Sequence, residues 1–212
     1  MLRTVFAAGS PALTALLVLL MAAIAAREVG ARPAQRLARA GTYAIAAATV
    51  AGTASIALLL ALTTAIRPQP WWDPHYAVPL AGIILGSVLN AASLSLDAML
   101  GSVRRERGAI EAQLALGAPF RDAIRPLVRA SVRRGLLPIV NQMSAAGIIT
   151  LPGIMTGQIL AGLDPVEAVK YQIVLLFLLV GSSGLAAAGA ALLVARRLTD
   201  GRERLRLDRL VG

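Results

Sequence analysis

The sequence predicts an all-α, polytopic integral membrane helix bundle with about five transmembrane helices and an amphipathic cytoplasmic loop, on three observations. Of 212 residues, 57% are hydrophobic and only 15% charged, with a mean hydropathy of +0.71, which excludes an ordinary soluble enzyme. Apolar runs recur at the length a bilayer demands, since a hydrocarbon core about 30 Å thick takes roughly 20 helical residues. The basic residues collect in alternate connecting segments, as the positive-inside rule requires of a multi-pass chain. The whole chain, 1–212, reads as one transmembrane domain.

Composition also removes most catalytic chemistry. No Cys is present and His occurs once, so disulfides, thiolate sites, iron–sulfur clusters and multi-histidine metal centres are excluded, and no metal ligand set is expected. The formal charge of +10 raises nucleic acid as a partner, but the placement of the basic residues points to membrane lipid instead.

The first span is expected at 11–26. Ala23-Ile24-Ala25 resembles a signal cleavage site, yet the arginines follow this run rather than precede it, the reverse of a cleaved signal. The second span is expected at 42–66 and the third at 77–100. Between them Trp71, Trp72, His75 and Tyr76 fall in an outer loop and suit a headgroup belt. The fourth span is expected at 136–160 and the fifth at 171–195. Arg27, Arg32, Arg36 and Arg39 follow the first span. Arg104, Arg105, Arg107, Arg121, Arg125, Arg129, Arg133 and Arg134 follow the third, and Arg196, Arg197, Arg202, Arg204, Arg206 and Arg209 the fifth. These are all but Arg3, Arg67 and Lys170 of the 21 basic residues. The amino terminus is therefore expected outside and the carboxyl terminus in the cytoplasm.

Within the third span Gly82, Gly86, Asn90, Ser93 and Asp97 recur every three or four residues and share one helical face. Small and polar residues suit close helix packing, and an ionisable Asp97 in a span also suits a path lining. In the fourth span Leu151-Pro152-Gly153 predicts a kink or break, because proline removes a backbone donor and clashes with the preceding turn. Asn90, Asp97, Asn141, Gln142, Met143, Pro152, Gly153 and Met155 are the candidate translocation-path residues. Met143 and Met155 offer thioethers, although methionine equally fills gaps. After the fourth span Gly162 closes a helix, Asp164 caps the next, Pro165 suits its first position and Glu167 completes a capping-box pattern. Gly181, Ser182, Ser183, Gly184 and Gly189 give the fifth span a close-packing face.

The cytoplasmic loop, 102–135, carries Arg121, Arg125, Arg129 and Arg133 at intervals of four, with Ile124, Leu127, Val128 and Val132 on the other side, so an amphipathic helix is expected. Gly117 separates it from a shorter helix at about 104–116. The arginines suit either a headgroup-facing stripe or a docking platform for a soluble partner.

Inside this loop Glu111-Ala112-Gln113-Leu114-Ala115-Leu116-Gly117 resembles the Glu-Ala-Ala-xxx-Gly coupling motif of ATP-binding cassette (ABC) transporter permeases, with Gln113 in place of the second Ala. That resemblance implies that Glu111, Ala112 and Gly117, together with Leu116 and Arg121, meet an ATPase subunit. From about residue 79 to 198 the chain resembles the FetB-type iron-export permeases, related to plant aluminium-tolerance membrane proteins. The resemblance is most specific in Leu151-Pro152-Gly153-Ile154-Met155-Thr156-Gly157 and in the block from Ala161 to Ile173. It implies a permease of the cell membrane (inner or plasma membrane) that exports iron or a related solute, works as a homodimer and pairs with a separate ATPase. Family members carry spans before the first one here, so N-terminal spans of the family are expected to be missing from this chain. A phosphate-binding loop needs Gly-Lys-Ser/Thr, and the single lysine, Lys170, follows Val169, so no cofactor is expected in this chain: ATP and Mg would bind the partner ATPase. The chain is thus expected to be a transport subunit rather than an enzyme. Two other functions fit the sequence, a proton-coupled secondary carrier using Asp97 and a non-transporting scaffold that recruits a partner through its basic loop.

Overall fold

The computed structural model describes residues 10–38, 40–66, 73–146 and 152–211. Among them seven α-helices follow in order: α1 (Pro11–Ala31), α2 (Gly41–Leu60), α3 (Pro74–Arg105), α4 (Arg107–Ala115), α5 (Phe120–Ala145), α6 (Gly153–Leu160) and α7 (Pro165–Arg197). A π-helical turn, Ala61–Ile66, extends α2. Two short strands, β1 (Arg36–Leu37) and β2 (Leu210–Val211), pair antiparallel. The expected all-α bundle is what forms. By length and composition four of the described helices can cross a membrane: Pro11–Ala31, Gly41–Thr63, Pro74–Arg105 and Pro165–Arg197. Arg3, Arg39, Arg67, Trp71, Trp72, Gly147, Thr150 and Leu151 lie outside the described residues.

Local chemistry sets the helix starts. Asp73 accepts from the His75 N–H at 2.9 Å with Pro74 in the first turn, so His75 and Tyr76 open α3 instead of lying in a loop. Asp164 accepts from Val166 N at 2.9 Å and Glu167 N at 3.2 Å, with Pro165 leading α7, as its sequence pattern predicts. The Glu167 carboxylate, however, accepts from Lys170 Nζ at 2.6 Å, one turn along, so the reciprocal half of the capping box is replaced by an ion pair.

Helix α3 is central and packs on α1, α2, α5 and α7. Its Ile84, Val88, Leu96, Met99 and Leu100 are buried. Lipid offers little hydrophobic drive between helices, so small residues and hydroxyls make the contacts. Ser95 Oγ donates to Ala187 O of α7 at 2.7 Å, and the Ser87 and Ser183 hydroxyls meet at 2.6 Å. Gly135 of α5 lies where α3, α5 and α7 converge, and a Cβ there would sit 2.7 Å from Ala91 O and 2.8 Å from Ala187 Cβ.

That contact corrects the expected layout of the cytoplasmic loop. The amphipathic helix expected within 102–135 does not end with that loop but runs on to Ala145 as one helix, with Gly135 serving close packing inside it. Pro138 is also accommodated inside it, on an exposed face. No described helix matches the fourth span expected at 136–160: α5 ends at Ala145 with Ala146 extended, residues 147–151 lie outside the described residues, and α6 starts at Gly153 after an extended Pro152.

Candidate functional site

Helices α3, α5 and α7 line an open cleft of about 240 Å³, at which Asn90 and Gln142 are exposed. Gly82, Gly86, Ser87 and Asn90 line it from α3, Gly135, Pro138 and Gln142 from α5, and Ser183 from α7. Two glycines keep the α3 wall low, so amide and hydroxyl groups face the space. The lining is uncharged and mixed: Ile83, Ala91, Ile139 and Leu179 stand among the amide and hydroxyl groups of Asn90, Gln142, Ser87 and Ser183. Among the described residues no group of three or more His, Asp or Glu side chains could hold a metal ion.

The structure brings Asn90 and Gln142 together and separates the other path candidates. Asp97 lies two turns further along α3, where its Oδ1 accepts from Ala34 N at 3.1 Å. With Gln35, Arg104, Arg105 and Arg134 it lines a second cleft of about 440 Å³, and Arg104 donates to Gln35 Oε1 at 2.8 Å. Asn141 and Met143, exposed like Gln142, do not line the first cleft. Pro152 and Gly153 open α6, and Met155 is buried within it. Sequence periodicity did not single out Ser87, and it gave Ser183 a packing role only; the signal for both is non-local. Thr49, Gln158 and Gln172 each bury a side-chain oxygen that has no partner among the described residues.

The second region is the α4 handle. Ile110, 1% exposed, anchors α4 to the bundle, whereas Glu111 and Ala112 face outward and Leu116 is 88% exposed. Glu111 pairs with Arg107 at 2.8 Å, one turn back. Gly117 ends the helix at φ +86, with Gly117 N donating to Leu114 O and Ala118 N to Gln113 O, both at 3.0 Å. This double bond pattern demands a left-handed residue, which explains the glycine. Arg121 follows on the exposed side of the first turn of α5.

The carboxyl-terminal tail supports this handle, a role the sequence did not suggest. Glu203 accepts from Phe120 N at 2.9 Å and so caps α5 from outside its own segment. Asp200 accepts from the Arg202 and Arg204 backbone N–H groups, both at 3.0 Å, and from Arg204 Nε at 3.1 Å. The Arg204 backbone bond above all, with Arg202 and the Arg204 guanidinium, lowers the Asp200 carboxyl to about 2. β2 then pairs with β1, tying the tail to the α1–α2 connection.

Comparison with known proteins adds ancestry. A family model described as "Uncharacterised protein family (UPF0014)" matches residues 1–199. The chain is 38% identical over 151 residues to the "UPF0014 membrane protein slr1647" of Synechocystis, covering 71% of this chain and 58% of that one. It is 32% identical over 209 residues to the "Probable iron export permease protein FetB" of Escherichia coli, covering 99% and 78%. With the rice "UPF0014 membrane protein STAR2" it shares 35% over 182 residues, covering 86% and 62%. This chain thus spans about three fifths of the cyanobacterial and rice relatives. No solved structure matches it.

Proposed function

This chain belongs to the UPF0014 family of membrane proteins, and on that premise we propose that it is the permease subunit of an ABC exporter, moving iron or a related metal species outward. A separate ATPase chain binds ATP and Mg and docks on α4. Two nucleotide sites call for two ATPases and two copies of this chain. The protein resides in the cell membrane with its carboxyl terminus in the cytoplasm, as the distribution of arginines favours.

The observation that carries the proposal is the form of α4: a short helix outside the apolar runs, stopped by a left-handed glycine and presenting Leu116 almost fully to solvent. An exposed leucine beside an exposed ion pair is what a soluble partner's groove would cover. Force applied to α4 passes through the turn at Pro119 into α5. That helix is 26 residues long, about 39 Å, and reaches from the turn to the cleft wall at Gln142. Because Gly135 sits against both α3 and α7, tilting α5 about that contact opens or closes the cleft at Asn90 and Gln142. The break between α5 and α6, with Pro152, Gly153 and Met155, forms the outer end of the path.

The position of Asp97 favours ATP drive over a proton-coupled carrier, since its carboxylate holds a backbone N–H at the α1–α2 connection and lies outside the Asn90–Gln142 cleft. Iron uptake into inverted membrane vesicles separates the two. The expected result is accumulation that requires ATP and the co-expressed ATPase and survives collapse of the proton gradient. Uptake that follows the proton gradient without ATP refutes the exporter, and ATP hydrolysis with no solute movement supports a scaffold instead.

A further inference from the structure

A groove of about 1200 Å³ runs between the cytoplasmic parts of α5 and α7. Val128, Leu192 and Ala195 form its apolar floor, and Arg125, Arg129 and Arg196 rim it. Arg125 and Arg129 are one helical turn apart and so face the same way. None of these three guanidinium groups forms an ion pair or hydrogen bond among the described residues. Three carboxylates also line it: Asp122, three residues before Arg125, Asp200, which holds Arg202 and Arg204, and Glu203, which is engaged by Phe120 N.

Two features fix the depth of this groove. Ser131 Oγ reaches Met99 Sδ at 3.6 Å, where the apolar run of α3 gives way to Gly101, Ser102, Arg104 and Arg105. Arg125 and Arg129 lie within about 9 Å of Ser131 along α5, on the headgroup side. Arg196 likewise follows the apolar run of α7, while Leu192, half exposed, lies one turn toward the hydrocarbon. Unneutralised guanidiniums above an apolar floor complement a phosphodiester that carries acyl chains, because arginine grips phosphate oxygens in pairs and leucine offers nothing to a free anion.

We propose that this groove binds an anionic phospholipid, with Arg125, Arg129 and Arg196 on the headgroup phosphate and an acyl chain along Val128 and Leu192. The site depends on membrane embedding alone and would stand even if no ATPase drove the chain.

Native mass spectrometry of the purified full chain, titrated with phosphatidylglycerol or phosphatidylcholine, tests it. Phosphatidylglycerol is expected to be retained in preference. Arg125→Gln with Arg129→Gln should lower retention about tenfold, and Arg196→Gln should lower it several-fold. Arg196→Lys should keep most of the binding, which separates lost charge from lost folding. Leu192→Trp, which fills the floor and keeps every arginine, should also lower retention, whereas Arg27→Gln on α1 should change nothing. Equal retention of the two lipids overturns the site, as does a loss from Arg27→Gln matching that of the groove variants. Binding indifferent to Leu192→Trp and displaced by inorganic phosphate would make it a simple anion site and overturns it equally.

Discussion

The Glu203 carboxylate accepts from Phe120 N at 2.9 Å, so the carboxyl-terminal tail caps the helix that leads from the α4 handle into the bundle. Glu203 holds this contact from a left-handed backbone, φ 56, an uncommon conformation for a non-glycine residue. Glu203→Ala is expected to cost about 1 kcal/mol, as loss of a helix cap does, and to lower Tm by about 2–4 °C. Hydrogen exchange at Phe120 should rise in the same variant. Unchanged exchange there would remove the cap.

Gly135→Ala tests the pivot. Its new methyl would press on Ala91 O, a backbone atom that cannot yield, so about 1–3 kcal/mol of destabilisation is expected in detergent melts. Gly184→Ala meets only Leu136 Cδ2 at 4.0 Å and should be tolerated.

In the cleft, Asn90→Leu and Gln142→Leu are each expected to lower transport about tenfold while leaving ATPase co-purification intact. Asp97→Asn should retain most transport because its role is at Ala34. Loss of transport in Asp97→Asn with both cleft variants active would reverse the assignment.

The tail should respond to acid. Asp200 is lowered from 3.8 to about 2, so the stability it gives is full above pH 3.8 and is lost as pH falls through about 2. Amide exchange at Arg202 and Arg204 should therefore stay slow at pH 5 and accelerate below pH 3.8. Asp200→Ala, which removes the acceptor, should exchange fast at neutral pH and show no such transition.

The sequence made legible whatever rests on local chemistry. Gly117, Gly162 and the Asp164-Pro165 pair end and start helices as their residue types demand. The four-residue spacing of the α5 arginines marks its outward face, and Pro152-Gly153 marks the start of α6. Contacts between distant segments were not legible. Gly135 entered only as the boundary of the cytoplasmic loop, whereas its close neighbour Ala91 lies in another helix. Ser87 meets Ser183, Asp97 turns to Ala34 and Glu203 reaches Phe120 across separations that periodicity does not encode. For the site, the residue types pointed to polar groups in the third and fourth spans, but only the packing of α3 against α5 brings Asn90 and Gln142 to one cleft and leaves Asn141 and Met143 out of it.

At the handle, Glu111→Lys replaces the Arg107 ion pair with repulsion, and Gly117→Pro removes both the left-handed residue and the N–H that bonds Leu114 O. Both variants are expected to insert into membranes normally and to lose the co-purifying ATPase. Gly117→Ala, strained by about 1 kcal/mol, should weaken it less.

The most direct measurement exploits a chain without cysteine. Leu116→Cys, just past the end of α4, and Leu160→Cys, at the end of α6, both strongly exposed apolar positions, are treated with a thiol-reactive photo-cross-linker in membranes that contain the ATPase. Cross-linking of the ATPase to Leu116→Cys and not to Leu160→Cys is the predicted result. An adduct from Leu160→Cys, or none from Leu116→Cys while the ATPase still co-purifies, contradicts it.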